Sequence, residues 1–138
     1  MGYTIGMSSL DKKPINIQKL KEFCLINPIF KLDDSKTWTN MYDQVVLYKV
    51  NEKWEMVCAF DNDDNYAIST PPNDDLFDMS CKIADYLGLF IFGEENEIYY
   101  IPTYGKPQNH IDFEIAKSVF AENGFDINLI IEKATVEH

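Results

Sequence analysis

The sequence predicts a single α+β domain, residues 1–138, with a mainly antiparallel sheet of about five or six strands packed with two or three helices. A length of 138 residues suits one domain with one core. Apolar residues make up 46% of the chain, too many for a disordered protein even at a net charge of −11. Short helical and strand-like segments alternate with turn residues, and no long linker divides them.

An amphipathic helix is predicted over residues 16–27. Ile17, Leu20 and Phe23 recur at helical spacing, and lysine and glutamate residues occupy the other side. Pro28 follows directly and is expected to end the helix.

A three-stranded meander is predicted after a polar connection at residues 33–40. Residues 44–50 and 53–60 are rich in β-branched and aromatic side chains, and Asn51-Glu52 forms a plausible tight turn between them. A polar interruption follows the second strand. The apolar pattern then resumes at residues 66–70, which predicts a third antiparallel strand.

A second helix and a second hairpin are predicted next. Asn73 or Asp74 is suited to cap the helix, and Gly88 is suited to end it. The hairpin is expected to pair residues 89–92 with residues 97–101, across a turn that contains glycine and asparagine.

The C-terminal part of the chain is predicted to contain one more helix. Asn109 is the expected N-cap, with Asp112 at the capping-box position, and Gly124 is the expected end. Residues 127–132 are rich in isoleucine and are a candidate for a last strand.

The three cysteines are predicted to be reduced and buried. Cys24, Cys58 and Cys81 are odd in number, far apart and surrounded by apolar residues. A nucleophilic cysteine needs a basic neighbour, and only His110 and His138 are available. No CxxC pair exists to begin a zinc site.

The aspartate-rich loop after residue 60 does not meet the requirements of an EF-hand. Asp61, Asp63 and Asn65 match the first three ligand positions. However, Tyr66 stands where the loop requires glycine, and Pro72 stands where a bidentate glutamate is needed.

No catalytic motif or phosphate-binding glycine pattern is present, so we predict that the protein is not an enzyme and uses no cofactor and no metal. A hydrolase with paired carboxylates stays an alternative, because the separation that such a pair needs is set by the fold.

The N-terminal sequence lacks the pattern of a signal peptide, and no apolar run approaches the roughly 18 residues of a membrane span. A cytoplasmic location is therefore predicted. Residues 1–10 show no periodic pattern and are a candidate for disorder.

The negative charge is localised. From Asp61 to Glu97 the chain has ten carboxylates and one lysine, whereas eight of its twelve lysines precede Asp61. The chain contains no arginine, which is the usual bidentate reader of phosphate and guanine. Both features oppose direct binding to nucleic acid.

A localised carboxylate surface suits a basic protein partner, because complementary potentials speed association and suppress wrong partners. The prediction is an acidic protein that neutralises a basic partner by covering its active site. The carboxylates in the predicted hairpin loops are the first candidates for partner contact, and those at the start of the second helix are the next. Nearby tyrosines are the candidates for the apolar anchors of the interface. The candidate partner-binding residues are Asp61, Asp63, Asp64, Glu94, Glu95, Glu97, Asp74, Asp75, Asp78, Tyr66 and Tyr99.

Two runs of sequence carry a resemblance to known proteins. Residues 82–89, KIADYLGL, followed by residues 93–99, GEENEIY, resemble a helix-to-hairpin tail of small bacterial cytosolic proteins. The acidic, lysine- and asparagine-rich chain as a whole is similar to immunity proteins that neutralise contact-dependent or other polymorphic toxins of bacteria. The resemblance implies a one-to-one complex with a cognate toxin, such as a nuclease.

Two other functions fit the same charge pattern. A DNA mimic that inhibits a DNA-binding protein requires a broad, regularly spaced acidic face. A non-catalytic adaptor domain requires only a solvated acidic face that keeps it soluble. Immunity to one toxin instead predicts a compact patch with aromatic residues and fixed hydrogen bonds.

Overall fold

A computed structural model describes residues 4–71 and 73–136 of the chain. In these residues the structure contains seven strands and four helices. The strands are β1 (Ile5–Ser8), β2 (Phe30–Asp33), β3 (Gln44–Val50), β4 (Lys53–Phe60), β5 (Ala67–Ser69), β6 (Phe90–Phe92) and β7 (Ile98–Tyr100). The helices are α1 (Ile17–Ile26), α2 (Asp74–Leu87), α3 (Phe113–Asn123) and α4 (Ile127–Ala134).

All seven strands form one sheet in the order β2-β3-β4-β5-β1-β6-β7, and every neighbouring pair is antiparallel. The α+β class and the antiparallel sheet are therefore confirmed. The predicted numbers of strands and helices were too low, because β1 and β2 have four residues each and α4 was interpreted as a strand.

β1 is an interior strand of the sheet, between β5 and β6. Disorder is thus the wrong expectation for residues 5–8, all of which are buried; residues 1–3 lie outside the described part. Gly6 allows the Tyr66 ring to cross this strand: a Cβ at this position would lie 2.5 Å from Tyr66 Cε2, so the ring would have to move. No local pattern identifies β1, since its neighbours are about 60 and 85 residues further along the chain.

The meander and the second hairpin are confirmed. β3, β4 and β5 are consecutive neighbours, as are β6 and β7. Asn51 and Glu52 connect β3 to β4 with φ angles of +49° and +68°. Two successive positive φ angles are typical of the type I′ turn, whose twist matches that of the flanking strands.

The first two helices begin and end where capping residues predict. Asn16 and Asn73 are the N-caps of α1 and α2, and their side chains accept hydrogen bonds from Lys19 N–H and Leu76 N–H, each at 3.0 Å. Gly88 ends α2 in the left-handed conformation, with φ of 72°.

Two predictions for the C-terminal part are wrong. Asp112, and not Asn109, is the N-cap of α3, and its carboxylate accepts a hydrogen bond from Ile115 N–H at 2.9 Å. Residues 127–132 belong to helix α4. Isoleucine content suggested a strand, but Asp126 caps the segment and its buried residues Ile130 and Ala134 are four apart, as in a helix.

Helices cover both faces of the sheet. Successive residues of a strand point to opposite faces: Ile91 packs in the cluster that contains the buried residues of α1 and α2, whereas Phe90 packs with those of α3 and α4. Val45, Leu47 and Ala59 form a third, smaller cluster. The core is therefore divided by the sheet into a layer on each side.

Truncation of Ile91 to alanine should lower the free energy of unfolding by about 2–5 kcal/mol, because its side chain is 0% exposed in the interior strand β6. The matched control is Ile115→Ala, a side chain that is 41% exposed, with an expected change within about 0.5 kcal/mol. Urea denaturation of both variants measures the difference. Equal losses would contradict the described core.

Candidate partner-binding surface

The structure separates the predicted acidic residues into two groups at opposite ends of the sheet. Between β4 and β6 lie β5 and β1, and each step is antiparallel, so β4 and β6 run in opposite directions. The loop after β4 and the turn after β6 consequently lie at opposite ends. α2 follows β5, which runs in the same direction as β6, and it begins at the end that holds the β6–β7 turn.

The end reached by β2 and β4 is termed the aspartate end. It gathers carboxylates from three segments, because β2 and β4 both end there and β3 begins there. Three of its members precede the acidic stretch of sequence and were missed. Its residues are Asp33, Asp34, Asp43, Asp61, Asp63 and Asp64.

Backbone and side-chain hydrogen bonds brace the aspartate end. Asp43 N–H donates to Asp61 Oδ1 at 3.2 Å, and Asn62 N–H donates to Asp43 Oδ2 at 3.1 Å. Lys36 Nζ lies 3.3 Å from Asp43 Oδ1. The Asp64 carbonyl accepts a hydrogen bond from Ile15 N–H at 2.8 Å, which ties this loop to the segment before α1. The carboxylates are thus held on a fixed backbone.

Two of these aspartates have a lowered pKa. The Asn62 amide and, next, the Lys36 ammonium lower the pKa of Asp43 below its ordinary value of 3.8. The Ser35 hydroxyl and amide do the same for Asp33. Asp63, at the tip of the loop with φ of +64°, is exposed and forms no ion pair within the described residues.

Exposed apolar side chains lie on the loop that connects β2 to β3. Trp38 is 46% exposed and Met41 is 72% exposed, and both lie between Lys36 and Asp43, which are joined by the ion pair. Neither residue was predicted as an aromatic anchor; the predicted anchors were Tyr66 and Tyr99. The signal available in the sequence was a single tryptophan inside a polar connection.

Gln44 adds a buried acceptor beneath the aspartate end. Its side chain is 7% exposed, and its Nε2 donates to Asn62 Oδ1 at 2.8 Å. Gln44 Oε1 has no hydrogen-bond partner within the part of the chain that the structure describes.

The opposite end is termed the glutamate end. The Phe77 ring of α2 meets the Tyr99 ring of β7 edge-on, at 6.5 Å between centroids, which brings the start of α2 close to the β6–β7 hairpin. The residues of the glutamate end are Asp74, Asp75, Asp78, Glu94, Glu95 and Glu97.

Several carboxylates of the glutamate end make contacts within the chain. Asp78 forms an ion pair with Lys106 at 3.1 Å. Glu97 accepts hydrogen bonds from Tyr99 Oη at 2.6 Å and from Glu95 N–H at 3.0 Å. Gly93 leaves room for this carboxylate, because a Cβ there would overlap it. Partial burial acts to raise the pKa of Glu97, but these hydrogen bonds outweigh it and lower the pKa.

The two predicted tyrosine anchors both pack against their own chain. Tyr66 crosses Gly6 and meets the Phe92 ring edge-on at 6.0 Å, which leaves it 37% exposed. Tyr99 is half-buried and bonded to Glu97. Trp38 and Met41 are more exposed than Tyr66.

The environments of the three cysteine thiols all raise the thiol pKa. Cys58 and Cys81 are buried, as predicted, and Cys24 is half-buried. Burial raises the pKa of Cys58 to about 12 and that of Cys81 to about 11, and it also raises the pKa of Cys24. These environments disfavour the thiolate that a nucleophilic cysteine needs.

In residues 4–71 and 73–136, no group of three or more histidine, cysteine, aspartate or glutamate side chains is arranged to hold a metal ion. No helix in the same residues combines the length and apolar character needed to cross a membrane.

No protein-family model matches the chain, and no curated protein or solved structure matches it significantly.

Replacing Tyr99 with phenylalanine should raise the pKa of Glu97, because the variant lacks the hydroxyl that donates to Glu97 Oε1. An NMR titration of the glutamate side-chain carbons measures this pKa. Tyr100→Phe is the control, since the Tyr100 hydroxyl donates to Asp85 instead. A Glu97 pKa that is unchanged in Tyr99→Phe, or equally changed in both variants, would refute the assignment.

Proposed function

We propose that this protein is an acidic binding protein that neutralises a basic partner by occluding the partner's active site. The proposed partner is a bacterial toxin such as a nuclease, which makes this chain an immunity protein that acts in the cytoplasm. The observation that carries the proposal is the aspartate end, where braced carboxylates stand beside exposed Trp38 and Met41.

The charge of the aspartate end favours a basic cleft as its target. An enzyme that cleaves nucleic acid must hold phosphates, and its cleft is therefore lined with cations. Six aspartates on three adjoining segments present several carboxylates to such a cleft, whereas Lys36 pairs with Asp43 alone. Attraction between these potentials accelerates encounter and requires no chemistry from this chain.

Trp38 and Met41 supply the apolar contact that charge alone lacks. Tight interfaces depend on a few desolvated side chains, among which tryptophan is enriched, and surrounding polar groups exclude water from them. In the same loop, the Lys36–Asp43 ion pair supplies polar groups of this kind. Fixed hydrogen bonds at Asp43, Asp61 and Asn62 reduce the ordering that the carboxylates undergo on binding.

The first experiment identifies the partner. The chain is immobilised, exposed to a lysate of its source cells at low salt, and the retained proteins are identified. A basic protein whose nuclease or other toxic activity this chain abolishes at one-to-one stoichiometry is the expected result. Recovery of many DNA-binding proteins would instead favour a DNA mimic, and recovery of no protein would favour an adaptor with a solvated acidic face. Either result contradicts the proposal.

Charge reversal at the aspartate end should then slow association. Asp63→Lys combined with Asp64→Lys is expected to reduce the association rate with the identified partner by about 10- to 1,000-fold at low salt, with a smaller effect at high salt. Glu94→Lys combined with Glu95→Lys is the matched control at the other end. Surface plasmon resonance measures both. A larger loss in the control would place binding at the glutamate end, and an equal loss would show that the aspartate end is not the specific contact.

A further inference from the structure

β2 is an edge strand of the sheet, and only one of its sides is paired. On the β3 side, the Ile29 carbonyl accepts a hydrogen bond from Lys49 N–H at 2.9 Å. Backbone groups alternate in direction along an antiparallel strand, so Lys31 and Asp33 also face β3. The intervening residues face the open side.

The open side presents unpaired backbone groups. The Phe30 N–H donates to the Asn27 carbonyl at 2.9 Å, as expected for a group that points away from β3. Leu32, two residues further, points the same way, and no other element of the described chain bonds to its backbone. The Phe30 carbonyl and both backbone groups of Leu32 are therefore available to another strand.

The opposite edge of the sheet is closed. Ile98 N–H of β7 donates to the Ile111 carbonyl at 2.9 Å, and an isolated bridge joins Ile101 to Gly105. Within residues 4–71 and 73–136, β2 is therefore the edge strand left open, and an exposed edge strand is a template for pairing with another chain.

A groove of about 570 Å³ runs along the β2 edge. Residues from both faces of the sheet line it: Cys24, Leu25, Phe30 and Leu32 on the α1 face, and Lys31 and Trp54 on the other. Beside it stand three exposed apolar side chains, Leu25 at 83%, Ile26 at 68% and Ile29 at 45% exposure. Because its walls lie on both faces of the sheet, the groove lies where a further strand would pair with β2.

We propose that a second copy of this chain occupies the groove, so that two β2 strands pair antiparallel about a twofold axis and form one fourteen-stranded sheet. The axis passes through Leu32. Each Leu32 exchanges both backbone hydrogen bonds with the partner's Leu32, and each Asp34 N–H reaches the partner's Phe30 carbonyl. The exposed apolar residues of α1 and of the following turn approach their counterparts and lose water.

Side-chain charge selects this register. With Leu32 on the axis, Lys31 lies directly opposite the partner's Asp33 on both sides of the axis, and opposite charges in such cross-strand positions stabilise the pairing. A shift that centred the axis on Lys31 would place two lysines opposite each other. The sequence Lys31-Leu32-Asp33 is therefore self-complementary, and a second copy fits the edge better than an unrelated strand.

Net charge does not oppose this contact as strongly as a value of −11 suggests. The residues that line the groove include Lys21 and Lys31 and no carboxylate, and Asp33, at the end of β2, lies opposite the partner's Lys31 in the proposed register.

Sedimentation velocity of the full chain over roughly 1–200 μM tests the proposal. A concentration-dependent dimer is expected, and Lys31→Glu and Asp33→Lys should each raise its dissociation constant about tenfold or more, because each places like charges opposite one another. Lys53→Glu, the same reversal on β4, is the control and should leave dimerisation unchanged.

Mixing the two variants separates a charge effect from local damage. Lys31→Glu chains carry two acids at the contact and Asp33→Lys chains carry two lysines, so an equimolar mixture should recover the dimer as a heterodimer. A wild-type chain that stays monomeric, a dimer indifferent to both reversals, or a mixture that fails to associate would each overturn the proposal. A monomer would leave the edge to a strand from a different protein. Asp33 also belongs to the aspartate end, but sedimentation of this chain alone measures self-association and not toxin binding, so the two proposals fail separately.

Discussion

The pairing of β1 with both β5 and β6 is the interaction on which the architecture depends. Without it, the strands β2 to β5 would form one sheet and the β6–β7 hairpin another. Met7 lies at 0% exposure in the middle of this junction, with the buried residues of α1 and α2 above it. Gly6 permits the Tyr66 ring to cross the same strand on the other face. The four residues of β1 therefore join the β2–β5 part of the sheet to the β6–β7 hairpin, through both backbone hydrogen bonds and side-chain packing.

The direction of each strand, set by that pairing, decides which charges meet. The acidic stretch from Asp61 to Glu97 is continuous in sequence, but an odd number of antiparallel steps between β4 and β6 sends its two halves to opposite ends of the sheet. The same rule brings Asp33 and Asp43 next to Asp61, although they come from a nearly neutral part of the chain. Local charge density is thus a property of topology as much as of sequence.

Strong local signals made much of the fold predictable. Capping asparagines, turn residues and alternating apolar residues located α1, α2, the meander and the second hairpin within a few residues. β1 and β2 were missed because a four-residue strand has too few positions to show alternation. In addition, the strands that pair with β1 are far from it in sequence. α4 was misassigned because β-branched residues favour strands by propensity, whereas the Asp126 cap and helical spacing determine its conformation.

The candidate surface was only partly predictable for the same reason. Asp61, Asp63 and Asp64 are recognisable as loop residues once the β4–β5 connection is predicted. Their association with Asp43 follows from the β3–β4 hairpin, in which Gln44 pairs with Phe60. The contribution of Asp33 requires β2, and the exposure of Trp38 and Met41 requires knowledge of how their loop lies. The bond from the Tyr99 hydroxyl to Glu97, which involves a predicted anchor, could not be read from the sequence.

The position of β1 also imposes an order on folding. β1 precedes both of its neighbours in the chain, so it leaves the ribosome long before Ala67 and Phe92, which complete its pairing. Hairpins close quickly because their contacts are local, whereas contacts between distant residues pay a larger loop-closure entropy and form late. The meander and the β6–β7 hairpin can form first, each with one edge bare where β1 belongs. Insertion of β1 is then the step that removes both bare edges at once, and any delay in it prolongs the interval in which the nascent chain is most prone to aggregate.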